Sequence, residues 1–206
     1  SIMAEHNTLT GASLHEPKGA ATAAVGQIYV ATGTGTGVWQ APATGVQMGW
    51  WDYNDAATAV TPIPLTLAAT YYPLTNDGAG PKTNLAYNLT GVANIWNTTT
   101  NRFDFSGLSL GDTLDIRLDV TITTAGANDN VSINTHLAEG GVPYELIVLS
   151  EKGYKTAGSH HEILPLHIYI GDTNTQVNGA YFEAQCDGTG AEVQVNGFFI
   201  RAITGG

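Results

Sequence analysis

The densest group of side chains able to hold a metal ion or relay a proton is Ser159-His-His-Glu162. Neighbouring residues in a strand point to opposite faces, so His160 and His161 would not share one ion, whereas His160 and Glu162 could if a third ligand came from elsewhere. A two-ligand pattern reads first as a polar loop leading into a strand. His136 and His167 fall at strand positions, where a histidine satisfied inside a core or a seam is commoner than a catalytic one. Asp115 and Asp119 share one strand face with Arg117 between them, roughly 13 Å apart at strand rise, too far for two-carboxylate glycoside chemistry. They read as a charge row facing water or another subunit. Asn128-Asp-Asn130 and Asp172-Thr-Asn174 are rich in oxygen but lack the spacing of a calcium loop, and turn chemistry accounts for both.

Other reactive groups are equally quiet. Gly33-Thr-Gly-Thr-Gly37 is not followed by a helical period, so it is no dinucleotide fingerprint. There is no Gly-x-Ser-x-Gly elbow, zinc-peptidase helix or phosphate loop. Cys186 is the lone cysteine and reads as a buried, inert strand position. The Asn-x-Ser/Thr triplets at Asn88, Asn97 and Asn130 are expected by chance in a chain rich in Asn and Thr. No catalytic residue, metal or cofactor is expected.

The elements that would carry these residues are strands. From Leu114 to Thr123 the alternation is unbroken: Leu114, Ile116, Leu118, Val120 and Ile122 share one face, and Asp115, Arg117, Asp119, Thr121 and Thr123 the other. That is a half-buried antiparallel strand. Val131, Ile133 and Leu137 predict a second. Leu146-Ile-Val-Leu149 is a short apolar run that suits a strand buried on both faces. Leu164, Leu166, Ile168 and Ile170 predict another, with Pro165 marking an edge. Ala180 to Cys186 and Glu192 to Thr204 complete a set whose spacing and turn residues fit two packed antiparallel sheets.

At 206 residues the chain is long enough for one large all-β domain with a smaller N-terminal segment. Seven Lys plus Arg stand against eighteen Asp plus Glu, and a net charge of −11 argues against a nucleic-acid-binding surface. No run of about twenty apolar residues encodes a membrane span. The chain reads as carrying no secretory signal, and Ser1 to Ala4 as a cleavage scar ahead of Met3. Three parts are expected: residues 1–40, an N-terminal arm with a short hairpin; 41–82, a connecting segment rich in Pro and aromatics; and 83–206, a sandwich domain. Few bulky aliphatics occur between Glu5 and Val25, as an extended arm requires. Within 41–82, Met48-Gly-Trp-Trp-Asp-Tyr53 is an aromatic cluster. Trp50, Trp51 and Tyr53 could form a sugar-stacking surface, but core or seam packing is the weightier reading.

Two resemblances follow from these residues. The order Asn97, a polar turn, Arg102-Phe103, a loop ending in Gly111 and then the long alternating strand resembles the opening of the head domain in the C1q and tumour-necrosis-factor jelly-roll family. The last strand, Val193 to Ile203, is similar to that family's closing strand. This covers roughly residues 83 to 206 and implies a jelly roll that assembles as a homotrimer. The chain departs from the family's Gly-x-Tyr-x-Phe, reading Gly111-Asp-Thr-Leu-Asp-Ile116 instead, so the fold carries over and a cell-signalling role does not. Separately, Leu14-His-Glu-Pro-Lys-Gly19, followed by Gly26 to Val30 and the Gly-rich turn to Trp39, is similar to N-terminal segments of tailed-bacteriophage virion proteins, particularly head fibres and capsid-decorating proteins.

The combined expectation is a viral structural protein located in the virion, a trimeric capsid-decorating or head-fibre protein. Its partners would be its own copies and the major capsid protein or another virion protein, bound through its N-terminus. His15, Glu16, Pro17, Lys18, Tyr29 and Trp39 would anchor; Phe198 and Ile200, with Tyr169 and Phe182, would line the three-fold seam. The alternatives are a receptor-binding tail fibre or tip protein that recognises a host surface glycan, with Trp50, Trp51 and Tyr53 exposed in a groove, and a glycan depolymerase on a trimeric scaffold.

Overall fold

A computed structural model describes residues 23–33, 36–42, 45–142 and 144–205. The chain divides between Gly45 and Val46 into two compact units. The smaller one holds an antiparallel hairpin, β1 (Ile28–Gly33) and β2 (Thr36–Gln40), in which Tyr29 pairs with Trp39 across the strands. His15, Glu16, Pro17 and Lys18 lie outside the described residues.

The larger unit is an all-β, antiparallel jelly-roll-like sandwich. In chain order its elements are β3 (Gln47–Asn54), α1 (Ala57–Val60), β4 (Ile63–Leu65), β5 (Tyr72–Pro73), β6 (Trp96–Asn97), β7 (Arg102–Phe103), β8 (Thr113–Thr124), β9 (Asp129–Leu137), β10 (Glu145–Tyr154), β11 (Gly158–Tyr169), α2 (Thr173–Asn178), β12 (Ala180–Cys186) and β13 (Ala191–Thr204). One sheet runs β11-β8-β13-β3, with β4 also on β13; the other runs β10-β9-β12-β7-β6, with β5 also on β12. After β8 the chain crosses to the second sheet, returns at β11, crosses again at β12 and returns at β13.

The alternation of β8 is realised in full: Leu114, Ile116, Leu118, Val120 and Ile122 are buried, while Asp115, Arg117 and Asp119 face outward. On β11, Leu164, Leu166 and Ile168 are buried on the inner face and Ile170 just beyond it, and Pro165 sits in a strand that pairs on one side only. In β13 the register against β8 shifts between Val195 and Gly197. This bulge changes the parity of the strand. Val193 and Val195 precede it and Phe198, Ile200 and Ala202 follow it, yet all five face the core, and Phe199 turns outward.

Two strands within the segment 41–82, β3 and β4, join the first sheet. Gln47 to Asn54 pair residue for residue with Thr204 to Gly197, and Ile63 to Leu65 continue the same sheet edge beside Val193 to Ala191. The prolines fall where they cost nothing: Pro64 and Pro73 sit in short strands at the margins. Leu146 to Leu149 are not buried on both faces either. They belong to β10, the end strand of its sheet, and Leu146 and Val148 are 47% and 58% exposed.

One backbone position holds α2 against the hairpin β6–β7. Gly179 ends α2 at φ +62°, and a Cβ there would overlap the carbonyl oxygen of Phe103. Gly179→Ala is therefore expected to cost about 2–4 kcal/mol from backbone strain and steric displacement together. A urea unfolding midpoint unchanged from that of the parent protein would contradict this.

Candidate functional site

The outer face of the β11-β8-β13-β3 sheet carries the charge row that the alternation of β8 predicts. Asp115 accepts from Arg201 Nε at 2.9 Å and pairs with His167 Nδ1 at 2.6 Å. The Arg201 guanidinium, and after it His167, hold the Asp115 carboxyl below its ordinary range. Asp119 pairs with His161 Nε2 at 2.6 Å and accepts from Asn196 Nδ2 at 2.8 Å. Among the described residues no hydroxyl or thiol meets either imidazole, so these pairs fix side chains across strands and form no nucleophile–base chain. Ser159 shares a hydrogen bond with Thr123 instead.

His160 and Glu162 do lie on the same side of β11, as the alternation requires, but they do not converge on an ion position. Glu162 is engaged by Lys152 and by the Tyr154 hydroxyl, and burial with that carboxylate pushes the Tyr154 phenol well above its ordinary range. His160 packs on the Tyr154 ring. His136 is held by Glu183 at 2.7 Å and stacks on Tyr181, over which the Arg102 guanidinium lies.

The described residues bring one mixed set of ligand atoms together: Asp129, Cys186 and Asp187, all within 4.8 Å. Their chemistry is already committed. Asp187 accepts from the backbone N–H and side-chain amide of Asn130, and Asp129 accepts from Gly126. Cys186 is fully buried, and its burial, with the neighbouring carboxylates, pushes the thiol up and keeps it protonated. The Asn128 to Asn130 turn and Asp172, which caps α2 by accepting from Thr175 N at 2.7 Å, are explained by turn and cap chemistry.

Of the three aromatics weighed as sugar platforms, only Trp50 reaches the surface. It stacks on Tyr87 with ring centroids 4.9 Å apart and tilts against Phe199. Trp51 is buried, and its indole N–H donates to the carbonyls of Val92 and Ala93. Tyr53 is buried, and its hydroxyl accepts from the N–H groups of Ile95 and Trp96. Strand parity decides this, because Trp51 and Tyr53 share the inner face of β3 and Trp50 the outer.

Phe182, Phe198 and Ile200 do not line a seam between subunits. All three are fully buried within one chain, where Phe198 packs against Trp96 at 4.6 Å, Phe182 at 5.5 Å and Phe103 at 5.7 Å. Tyr169 is 70% exposed on the outer face of β11. Other exposed apolar side chains lie on β11 and on β10, the end strand of the other sheet. Ile163 is on the same face of β11, and Leu146 and Val148 lie on β10, which residues 155–157 join to β11. Val142 and Tyr144, just ahead of β10, are exposed as well.

Loop residues that the alternation does not reach build a polar groove at the far side of the second sheet. One cavity of about 350 Å³ is floored by Tyr53, Trp96 and Leu85 and walled by Asp77, Asn94 and Thr98. A second, of about 480 Å³, is lined by Thr100, Ser106, Arg102, Glu139 and Asn178. Asn97 and Asp104 line both. The density of Asn and Thr from Asn94 to Asn101 was the available signal, but nothing local showed that Asp77 and Glu139 would join it. In the smaller unit Tyr29 and Trp39 meet edge to face at 5.3 Å, and Ile28 and Val38 are about half exposed on the opposite face.

No family model and no curated protein sequence matches the chain. Among solved structures it is similar to that of the infectious bursal disease virus Gx strain, at 8% identity and a TM-score of 0.43, over 86% of this chain and 36% of that one. It is similar to dimeric latent PorU from Porphyromonas gingivalis at 10% identity and a TM-score of 0.36, over 81% of this chain and 14% of that one. The PRD1 vertex protein matches at 13% identity and a TM-score of 0.33, over 77% of this chain and 96% of that one. The chain thus spans about a third of the length of the first of these and far less of the second. Likeness this distant carries no conclusion about what the chain does.

Proposed function

We propose that this chain is a structural protein of a virus particle: a homotrimeric capsid-decorating or head-fibre protein of a tailed bacteriophage. Its N-terminal segment anchors to the major capsid protein or another virion protein, and its sandwich is displayed outward. The two sequence resemblances, one at each end of the chain, support this reading. The structural observation that carries it is the set of exposed apolar side chains on β10 and β11, Leu146, Val148, Ile163 and Tyr169. A sandwich whose core is already complete has no need of these side chains internally, and end strands that present apolar side chains need covering. Copies arranged about a three-fold axis cover them in a closed assembly.

The seam therefore lies on these outward side chains and not on Phe182, Phe198 or Ile200. The hairpin β1–β2 serves the anchor. An isolated two-stranded hairpin is at best marginally stable, so its Tyr29–Trp39 pair and its exposed Ile28 and Val38 gain from a partner surface. The test is binding of the purified protein to virus heads stripped of it, beside the same measurement with residues 1–40 removed and with intact host cells. Saturable binding to heads that is lost on truncation is the expected result. Binding to cells that survives truncation would replace this reading with that of a receptor-recognition head.

A further inference from the structure

The groove around Asn97 and Asp104 is not absorbed by a role in anchoring or in a seam. We propose that its two joined cavities bind a neutral oligosaccharide. This goes beyond the reading of a decoration protein and stands or falls separately from it.

Size comes first. The cavities, about 350 and 480 Å³, each fall within the usual range for small-molecule sites of about 300–1,000 Å³. Because Asn97 and Asp104 line both, the two cavities adjoin beside the hairpin β6–β7 at the end of its sheet. A ligand that fills both halves is a chain and not a single ring.

Hydrogen-bonding groups come second. Asn97 Oδ1 is spent on the turn, accepting from Thr99 N at 2.9 Å and Thr100 N at 3.1 Å, and among the described residues its Nδ2 has no partner. Asp104 Oδ1 accepts from Ser106 N at 2.9 Å, and among the described residues its second oxygen has no partner, whereas Asp77 is engaged by Ala56, Ala79 and Asp55. The Asn94 amide and the hydroxyls of Thr98, Thr100 and Ser106 line the same walls. Carboxylate acceptors set beside amide donors and hydroxyls suit a ligand whose own groups both donate and accept, which is the character of a sugar hydroxyl. Leu85 in one half and the exposed Val177 in the other offer apolar contacts for the C–H faces of pyranose rings, with Trp96 and Phe103 buried beneath.

Charge comes third and excludes the obvious competitors. Among the described residues Asp77, Asp104 and Glu139 face the groove against a single cation, Arg102. That guanidinium is already committed to the Glu139 carboxylate at 3.5 Å, to the Glu139 carbonyl at 3.0 Å and to the Tyr181 ring. Phosphate, sulfated glycans and nucleic acid therefore meet net repulsion, in a chain of net charge −11.

The test is ligand-observed saturation transfer on the full chain with cellobiose, maltose, lactose and N,N′-diacetylchitobiose, with a sulfated heparin disaccharide and spermidine as charged comparators. At least one neutral disaccharide is expected to bind and to shift the backbone amides of Asn97 and Asp104. Asp104→Asn keeps the oxygen that holds Ser106 and changes only the unpaired one, and Asn94→Ala removes an amide with no partner among the described residues. Each is expected to weaken binding about tenfold, as loss of one charged or well-placed hydrogen bond does, with the unfolding midpoint unchanged. Silence from all four sugars would overturn the proposal. So would tighter binding of either comparator, or sugar binding that both variants leave intact and that shifts Trp50 and Tyr87 instead.

Discussion

Phe198→Ala is expected to lower stability by about 3–5 kcal/mol, the range for deleting a large buried side chain that the surroundings cannot replace. Phe198 is fully buried where the two sheets meet, in contact with Trp96, Phe103 and Phe182, and Phe103 in turn stacks on Phe105. The ring meets three aromatic neighbours on the facing sheet, so collapse into the vacated space is poor and the cavity term is large. Against a total stability of about 5–15 kcal/mol this is a substantial fraction, and for a chain of this size it lowers the melting temperature by about 10 °C. Phe198→Leu, which keeps much of the volume, should lose far less. Calorimetry and light scattering on the same samples separate the interior role from a seam role. The expected variant melts early but keeps the parent mass below its transition. A variant that melts normally yet loses mass would return Phe198 to the seam.

That contrast shows what was legible in the sequence. Period-two alternation identified the inner faces of β8 and β11 residue by residue, because a half-buried strand writes its burial directly into its side chains. It did not tell which buried face meets another sheet of the same chain and which meets a second chain. Phe198 and Ile200 were therefore assigned to a seam although the bulge at Asn196 and Gly197 turns them into the core. A bulge reverses parity without altering composition, so nothing in Val193 to Ile203 announced it. For the Trp50, Trp51 and Tyr53 cluster packing was the weightier reading, and Trp51 and Tyr53 are buried, but the partner they pack against was not legible. Their strand pairs with the last strand in the chain, about 150 residues away, and a contact of that range leaves no local trace. The apolar run Leu146 to Leu149 was read as doubly buried because hydrophobicity alone does not separate a central strand from an end strand with an uncovered face. Its exposure is the more informative outcome, since it points to a surface. The groove was least legible of all. Its walls come from Asp77, the stretch Asn94 to Ser106 with its hairpin β6–β7, Glu139 and the end of α2 at Asn178, and only the folded sandwich sets them side by side.

Replacing Tyr169 and Val148 both by Glu is expected to reduce the particle from three times 21.6 kDa to 21.6 kDa without changing the melting temperature of the single chain. Both side chains point outward, at 70% and 58% exposure, on the end strands β11 and β10. Neither contributes to the core cluster, so in an isolated chain the substitutions exchange one solvated group for another. In a trimer the same positions are covered, and an unpaired charge placed in a covered apolar contact costs about 2 kcal/mol or more. Three-fold symmetry repeats that cost at every seam, so about 6 kcal/mol is lost in all, on the order of 10⁴-fold in the association constant. Sedimentation of parent and variant over a range of concentrations reads this directly. A parent that sediments as one chain would remove the trimer, and a variant that remains trimeric would move the seam away from β10 and β11. Loss of trimer with the sandwich intact would leave the anchor hairpin as the next determinant, because three linked hairpins bind a particle far more tightly than one. The monomeric variant should then bind stripped heads only weakly even though every residue before Val46 is unchanged.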